Sequence, residues 1–191
     1  MQNMQNMQRL TITKRNDLPQ LFSFLGFSTG LELGVGDGVF SFHILSNWAG
    51  VLNMVDCWKH QDLTVYKDDF NASDDVQERR YQGVLNTAKQ FKGRAVIHRD
   101  FSKDAASKFP DGSLDFVYLD GNHQYEAISE DLILWYPKVR QGGFFGGHDY
   151  LDLSRPSGEY GVKRAVTEFA QNKGFTYQVT PEEWPTWYTI I

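Results

Sequence analysis

Three glycines at alternate positions, Gly34, Gly36 and Gly38, close an apolar run in Leu31-Glu-Leu-Gly-Val-Gly-Asp-Gly38, and an acid, Glu32, stands two residues before the first of them. Glycine permits backbone conformations that a Cβ forbids and lets a ligand approach the main chain closely. A second acid, Asp56, ends the next apolar run, Val51-Leu-Asn-Met-Val-Asp56, at the offset of about 20 residues expected of a ribose-binding carboxylate. These are the parts of a nucleoside-binding βαβ unit. Further on, Asp100-Phe101, Asp120-Gly-Asn-His123 and His148-Asp149 each follow a stretch of strand character. Ligands of a doubly wound sheet collect outside the C-terminal ends of its strands, so all five groups are expected on one rim.

The elements that must position them are legible in outline. Strands are expected at 29–33, 51–55, 95–98, 114–119 and 142–147, with helices at 39–48, from Ser73 or Asp74 to about 91, 103–109, 125–136 and 161–172. A short helix capped by Asn16 or Asp17 precedes them and carries Pro19 in its first turn. Residues 58–73 show no period and read as a long mobile loop over the site, and 152–161 read as loop. Segments 174–179 and 184–191, parted by a turn containing Pro181, read as a terminal antiparallel hairpin. Strands alternating with helices imply an α/β, doubly wound sheet. The chain has 191 residues, which fits one domain over residues 10–191 after a polar, repetitive lead-in at 1–9 that reads as disordered.

Composition narrows the partners. A net charge of −5 disfavours nucleic acid, whose binding surfaces are basic, and the pairs Lys14-Arg15, Arg79-Arg80 and Lys163-Arg164 read as solvated helix faces. No apolar run approaches the roughly 20 residues of a membrane span. One cysteine, Cys57, excludes an intramolecular disulfide, fits a cytoplasmic setting, and reads as a small filler beside the pocket. His43, His60 and His98 read as structural. Aromatics make up 15% of the chain, enough for a core and for part of a pocket for an organic small molecule.

The glycine spacing separates two cofactors. A dinucleotide fingerprint would place its third glycine at position 39, which is Val39. The G-x-G-x-G pattern with a leading Glu instead resembles the first motif of class I S-adenosylmethionine-dependent methyltransferases. Asp111-Gly-Ser-Leu-Asp-Phe-Val-Tyr-Leu-Asp-Gly-Asn-His-Gln-Tyr-Glu126 resembles the central signature of methyltransferase family 24, a group similar to the macrocin O-methyltransferases of macrolide sugars. Supporting matches are Val55-Asp-Cys-Trp58, Arg140-Gln-Gly-Gly143, Gly147-His-Asp-Tyr150 and Gly161-Val-Lys-Arg-Ala165, so the resemblance spans about residues 28 to 172.

The resemblance implies a Rossmann-like seven-stranded sheet, mostly parallel, with an antiparallel C-terminal strand. It implies that Glu32, Gly34 and Gly36 line the methionine end of the cofactor, that Gly38 also belongs to the cofactor site, and that Asp56 takes the ribose hydroxyls. Trp58 or Phe101 would pack near adenine, and Asp100 would bond its amino group. Asp120 would lie near the cofactor amine or a metal, with His123 as general base toward a hydroxyl. His148 and Asp149 stand where metal-dependent relatives carry two oxygen ligands. His148 in place of a carboxylate weakens the case for magnesium and leaves a transition metal or no metal open. The leading expectation is O-methylation of a small hydroxylated molecule such as a sugar, with homo-oligomerisation and the acceptor atom left open. An NAD-dependent oxidoreductase and a catalytically silent binding module are the alternatives. Val39 opposes the first and the cluster of Asp120, His123, His148 and Asp149 opposes the second.

Overall fold

The computed structural model describes residues 11–156 and 158–191; the lead-in expected to be disordered lies outside them. Five parallel strands form one side of the sheet: β1 (Thr29–Leu33), β2 (Val51–Asp56), β3 (Ala95–Arg99), β4 (Leu114–Leu119) and β5 (Val139–Gly147). β6 (Asp152–Arg155) and β7 (Gly158–Gly161) form a separate antiparallel pair, and β8 (Gln178–Val179) and β9 (Trp187–Ile190) complete the main sheet. Its order is β3-β2-β1-β4-β5-β9-β8, with β9 antiparallel to β5 and to β8. The chain reverses strand order between β1 and β4, where the crevice of a doubly wound sheet opens.

A central strand covered on both faces needs apolar residues on both, and β4 is buried at all six positions. Its alternate residues part to opposite sides. Val117 and Leu119 join Leu31, Leu33, Phe145 and Trp187 under helices Tyr125–Trp135 and Val162–Lys173. Phe116 and Tyr118 join Leu52, Met54 and Phe144 under helices Leu18–Phe24, Val39–Asn47 and Asp74–Ala88. Asp115, near the start of β4, ties strands together by accepting from the Ser28 and Thr29 amides and from Arg140 Nε at 2.6 Å.

The structure departs from expectation at residues 152–161, read as loop. They are the β6–β7 hairpin, in register Leu153 to Tyr160 and Ser154 to Glu159. Each strand is only four residues long, and the first is largely exposed, so the apolar alternation that marks a longer strand has no room to appear. The terminal hairpin is present but shorter than expected, with pairing confined to β8 and β9. Residues 58–73 contain neither helix nor strand, as expected. Among the described residues no helix is long and apolar enough to cross a membrane.

Candidate active site

A cavity of about 560 Å³ lies at the C-terminal ends of the parallel strands. Glu32, Gly34, Gly36, Asp56, Asp100, Phe101, Asp120, His123, His148 and Asp149 all line it, so nearly every residue expected at the rim is there. The order of the sheet makes this so. The turns after β1 and β4 are neighbours because β1 and β4 pair in parallel. At Gly34, φ is +88° and an added Cβ would fall 2.0 Å from the Asp120 carbonyl, so only glycine allows the two turns to close up.

Two residues expected at the cofactor do not line the cavity. Trp58 does not line the cavity. It is 1% exposed, packs against Tyr81, and donates its Nε1–H to the Gly36 carbonyl at 2.9 Å. Its φ of +40° is a genuine outlier for a bulky residue, fixed by the Trp58 amide donating to Asp56 Oδ1 at 2.8 Å. Gly38 also lies off the cavity, as the left-handed N-cap of helix Val39–Asn47, with Phe42 filling the space a Cβ would need. Both residues shape the glycine loop from beneath.

Asp56 does the same from the side. Its Oδ2 accepts from the Val35 and Gly36 amides at 3.0 and 2.9 Å. Burial raises its pKa, an effect these hydrogen bonds only partly offset. Three amides occupy three of about four acceptor positions on a carboxylate, leaving about one unfilled. Glu32 is 1% exposed; burial pushes it up to about 8, although it accepts a hydrogen bond from Ser41. Asp100 meets Lys108 Nζ at 2.6 Å, and Phe101 stands 43% exposed at the cavity wall.

Asp120, His123 and Asp149 form a compact group in which one ligand atom from each lies within 4.8 Å of the others. His123 Nε2 is 3.1 Å from Asp149 Oδ2 and 3.5 Å from Asp120 Oδ1. Neither oxygen is in line with an N–H, so Nε2 is a buried polar atom without a hydrogen-bond partner among the described residues. Burial would lower the His123 pKa, but the neighbouring carboxylates of Asp120, Asp68 and Asp149 carry it up to about 10. Asp120 is held below the usual carboxylate range: burial opposes this, and His123 and His148 outweigh it. His148 Nδ1 sits 2.9 Å from Asp149 Oδ1 and 3.7 Å from Asp120 Oδ1, beside the three-residue group. Asp149 itself takes the left-handed region at φ +52°.

Several residues of this site carry no signal in the sequence. Arg15, read as part of a solvated face, lines the cavity and donates to Asp120 Oδ2 at 3.0 Å, with its guanidinium over the Phe40 ring. Tyr66, Asp68 and Phe70 of the 57–73 segment, and Tyr160 and Trp184 from the far side, also line it. The Tyr160 ring stacks on His123 with centroids 5.2 Å apart. Tyr125 bonds Glu168 under Arg164, away from the cavity lining. Cys57 lines the cavity with its thiol pushed up to about 11 by burial, which suits a filler and not a nucleophile. His43, His60 and His98 do not line it.

The cavity is acidic: nine Asp or Glu residues line it against four Lys or Arg. That balance suits a ligand with positive charge and opposes the pyrophosphate of a dinucleotide.

Comparison with known proteins agrees with this geometry. Residues 31–150 match the methyltransferase domain family known as family 24. An uncharacterised protein of Acanthamoeba polyphaga mimivirus is 31% identical over 101 residues, 49% of this chain. That match spans 45% of the relative, so the chain corresponds to about half of its length. A Staphylococcus aureus protein described as a presumed caffeoyl-CoA O-methyltransferase superposes with a TM-score of 0.68 at 12% identity, over 99% of this chain and 89% of that one. An S-adenosylmethionine-dependent methyltransferase of Aquifex aeolicus does so with a TM-score of 0.61 at 12% identity, over 99% and 98%. At these identities the likeness is one of fold.

Proposed function

The chain belongs to the methyltransferase domain family, family 24, and from that premise we propose that residues 10–191 form one methyltransferase domain that uses S-adenosylmethionine to methylate a hydroxyl of a small molecule such as a sugar. The observation that carries the reading is the meeting of the glycine loop and the Asp120, His123, Asp149 group on one acidic cavity. Bound there, S-adenosylmethionine supplies a methyl already activated on a sulfonium. The glycine turns would leave the main chain bare for its methionine end, with Glu32 beside them, and Asp56 would take its ribose hydroxyls. Asp100 and Phe101, also in the lining, would hold its adenine.

The protein's part is alignment, exclusion of water and removal of a proton. His123 Nε2, without an in-line partner, is the atom placed to take the hydroxyl proton. Before loading, the surrounding carboxylates hold His123 protonated. That hold weakens when positive charge enters beside Asp120 and Asp149, which returns the imidazole toward its neutral, accepting form. Tyr160 and Trp184 give the acceptor an aromatic wall, their centroids 5.6 Å apart.

The same donor set fits a divalent cation. Two carboxylates and an imidazole with an orphaned nitrogen would hold it, and it would lower the pKa of a bound hydroxyl. One imidazole among the donors favours a transition metal over magnesium.

A radiolabelled-methyl assay against a panel of sugars and catechol-like alcohols tests the reading. At least one hydroxylated acceptor should gain label, and His123→Ala should lower its kcat by about 10²–10⁴-fold with little change in cofactor affinity. No labelled product from any acceptor, or undiminished turnover in the variant, would count against it.

A further inference from the structure

The 57–73 segment is tied to the turn after β4 at three successive places. The Val65 carbonyl accepts from Asn122 Nδ2 at 2.9 Å, the Lys67 amide donates to Gln124 Oε1 at 3.0 Å, and Asp68 Oδ2 lies 3.3 Å from His123 Nδ1. The segment is internally braced. Buried Asn71 accepts from the Gln61 amide and donates to the Gln61 and Tyr66 carbonyls, while Gln77 and Arg80 of the following helix donate to the Phe70 carbonyl. Its far end reaches the glycine loop, where the Phe70 ring stands 3.0 Å from the position of a Cβ on Gly36. It therefore bridges the two halves of the cavity, as a closing loop does.

Only the Asp68 tie ends on a side chain of the proposed chemistry. Its carboxylate is 7% exposed and oriented by its own backbone, since Oδ1 accepts from the Phe70 amide at 2.8 Å. That leaves Oδ2 for the imidazole. A carboxylate on one ring nitrogen fixes the ring's orientation and decides which nitrogen serves the chemistry. Tyr160, stacked on the ring face, limits its tilt but not its rotation in plane.

We propose that Asp68 is the positioning residue of His123: by accepting from Nδ1–H it aims Nε2 at Asp120, Asp149 and the acceptor, and it does so only while the 57–73 segment is closed on the turn after β4. The inference rests on the reading of His123 as the group facing the acceptor. It makes the site complete only when the segment is closed, so an open enzyme holds cofactor beside a misaligned base.

The test uses the full chain labelled with ¹⁵N-histidine, at one fixed pH, with and without S-adenosylhomocysteine. Wild type should show a downfield, slowly exchanging Nδ1–H, assigned by its loss in His123→Gln. Asp68→Ala should speed its exchange by at least about tenfold, the loss expected of one charge-assisted bond. Asp68→Asn should do the same, because its oriented oxygen stays on Phe70 and a donor meets the ring. A role confined to holding the loop would be rescued by Asp68→Asn, whose Lys67 amide, read in a uniformly ¹⁵N-labelled sample, should keep its wild-type exchange. An unchanged Nδ1–H in either folded variant would overturn the proposal. Failure of wild type to bind S-adenosylhomocysteine would instead strike the methyltransferase reading, with the imidazole signals of the unliganded chain still deciding on Asp68.

Discussion

Arg15 Nη1 stands 3.0 Å from Asp120 Oδ2, so the acid that follows β4 already has a cationic partner, supplied by the helical turn Arg15–Asp17 near the start of the described chain. The same turn is anchored to the far end of the fold, because the Arg15 amide donates to Glu182 Oε1 at 2.9 Å. Asp120 is thus shared between a fixed guanidinium and the His123 side of the cavity.

A divalent ion entering the Asp120, His123, Asp149 group meets that guanidinium as a competitor. Arg15→Gln should therefore tighten Mn²⁺ binding about tenfold, equivalent to roughly 1.4 kcal/mol. Calorimetry or electron paramagnetic resonance on the chelator-stripped chain reads it directly. Equal affinity in the two proteins would mean that Arg15 and a cation do not compete for Asp120.

Glu32 should make stability fall as pH rises. Burial lifts its pKa from the ordinary 4.5 to about 8 in the folded state. Below the ordinary value both states keep the proton and the group costs nothing. Between that value and about 8 the unfolded chain ionises while the folded one does not, so stability declines, and above about 8 the penalty is constant. Glu32→Gln escapes the penalty but weakens the bond to Ser41. It should gain on wild type by something on the order of 1–3 kcal/mol from pH 5 to pH 8 in urea melts. A difference that does not vary with pH would show that Glu32 ionises normally.

Asp56 should prove both a brace and a ligand. Asp56→Ala releases the amides of Val35, Gly36 and Trp58. It should weaken S-adenosylhomocysteine by one to two orders of magnitude, the value of a charge-assisted bond of about 1.5–3 kcal/mol. It should also lower the melting temperature, because Trp58 loses the contact that holds its left-handed backbone. Trp58→Phe, which removes the Nε1 bond to Gly36 and part of the ring's packing but keeps the Asp56 contacts, should weaken binding less. Unchanged affinity in a folded Asp56→Ala would remove Asp56 from the cofactor site.

What the sequence made legible follows from locality. The glycine loop, Glu32 and Asp56 belong to one βαβ unit, and Asp120 and His123 to one turn, so spacing alone placed them on the rim. Trp58 fell on the right turn but on its buried side, because chain position does not say which face a left-handed residue presents. Arg15 lies 105 residues from Asp120, and Asp68 lies 55 from His123. Such pairs are brought together by the packing of distant elements, and no short pattern encodes them. The β6–β7 hairpin that brings Tyr160 to His123 was hidden for a similar reason: its strands pair with each other and bury too little to alternate.

The central claim is that this cavity takes S-adenosylmethionine and not a dinucleotide, and titration calorimetry of the wild-type chain tests it most directly. S-adenosylmethionine and S-adenosylhomocysteine should each bind at one site per chain, while NAD, whose pyrophosphate would meet a lining with more acids than bases, should give no heat of binding. Binding of NAD without binding of either sulfur nucleoside would contradict the account.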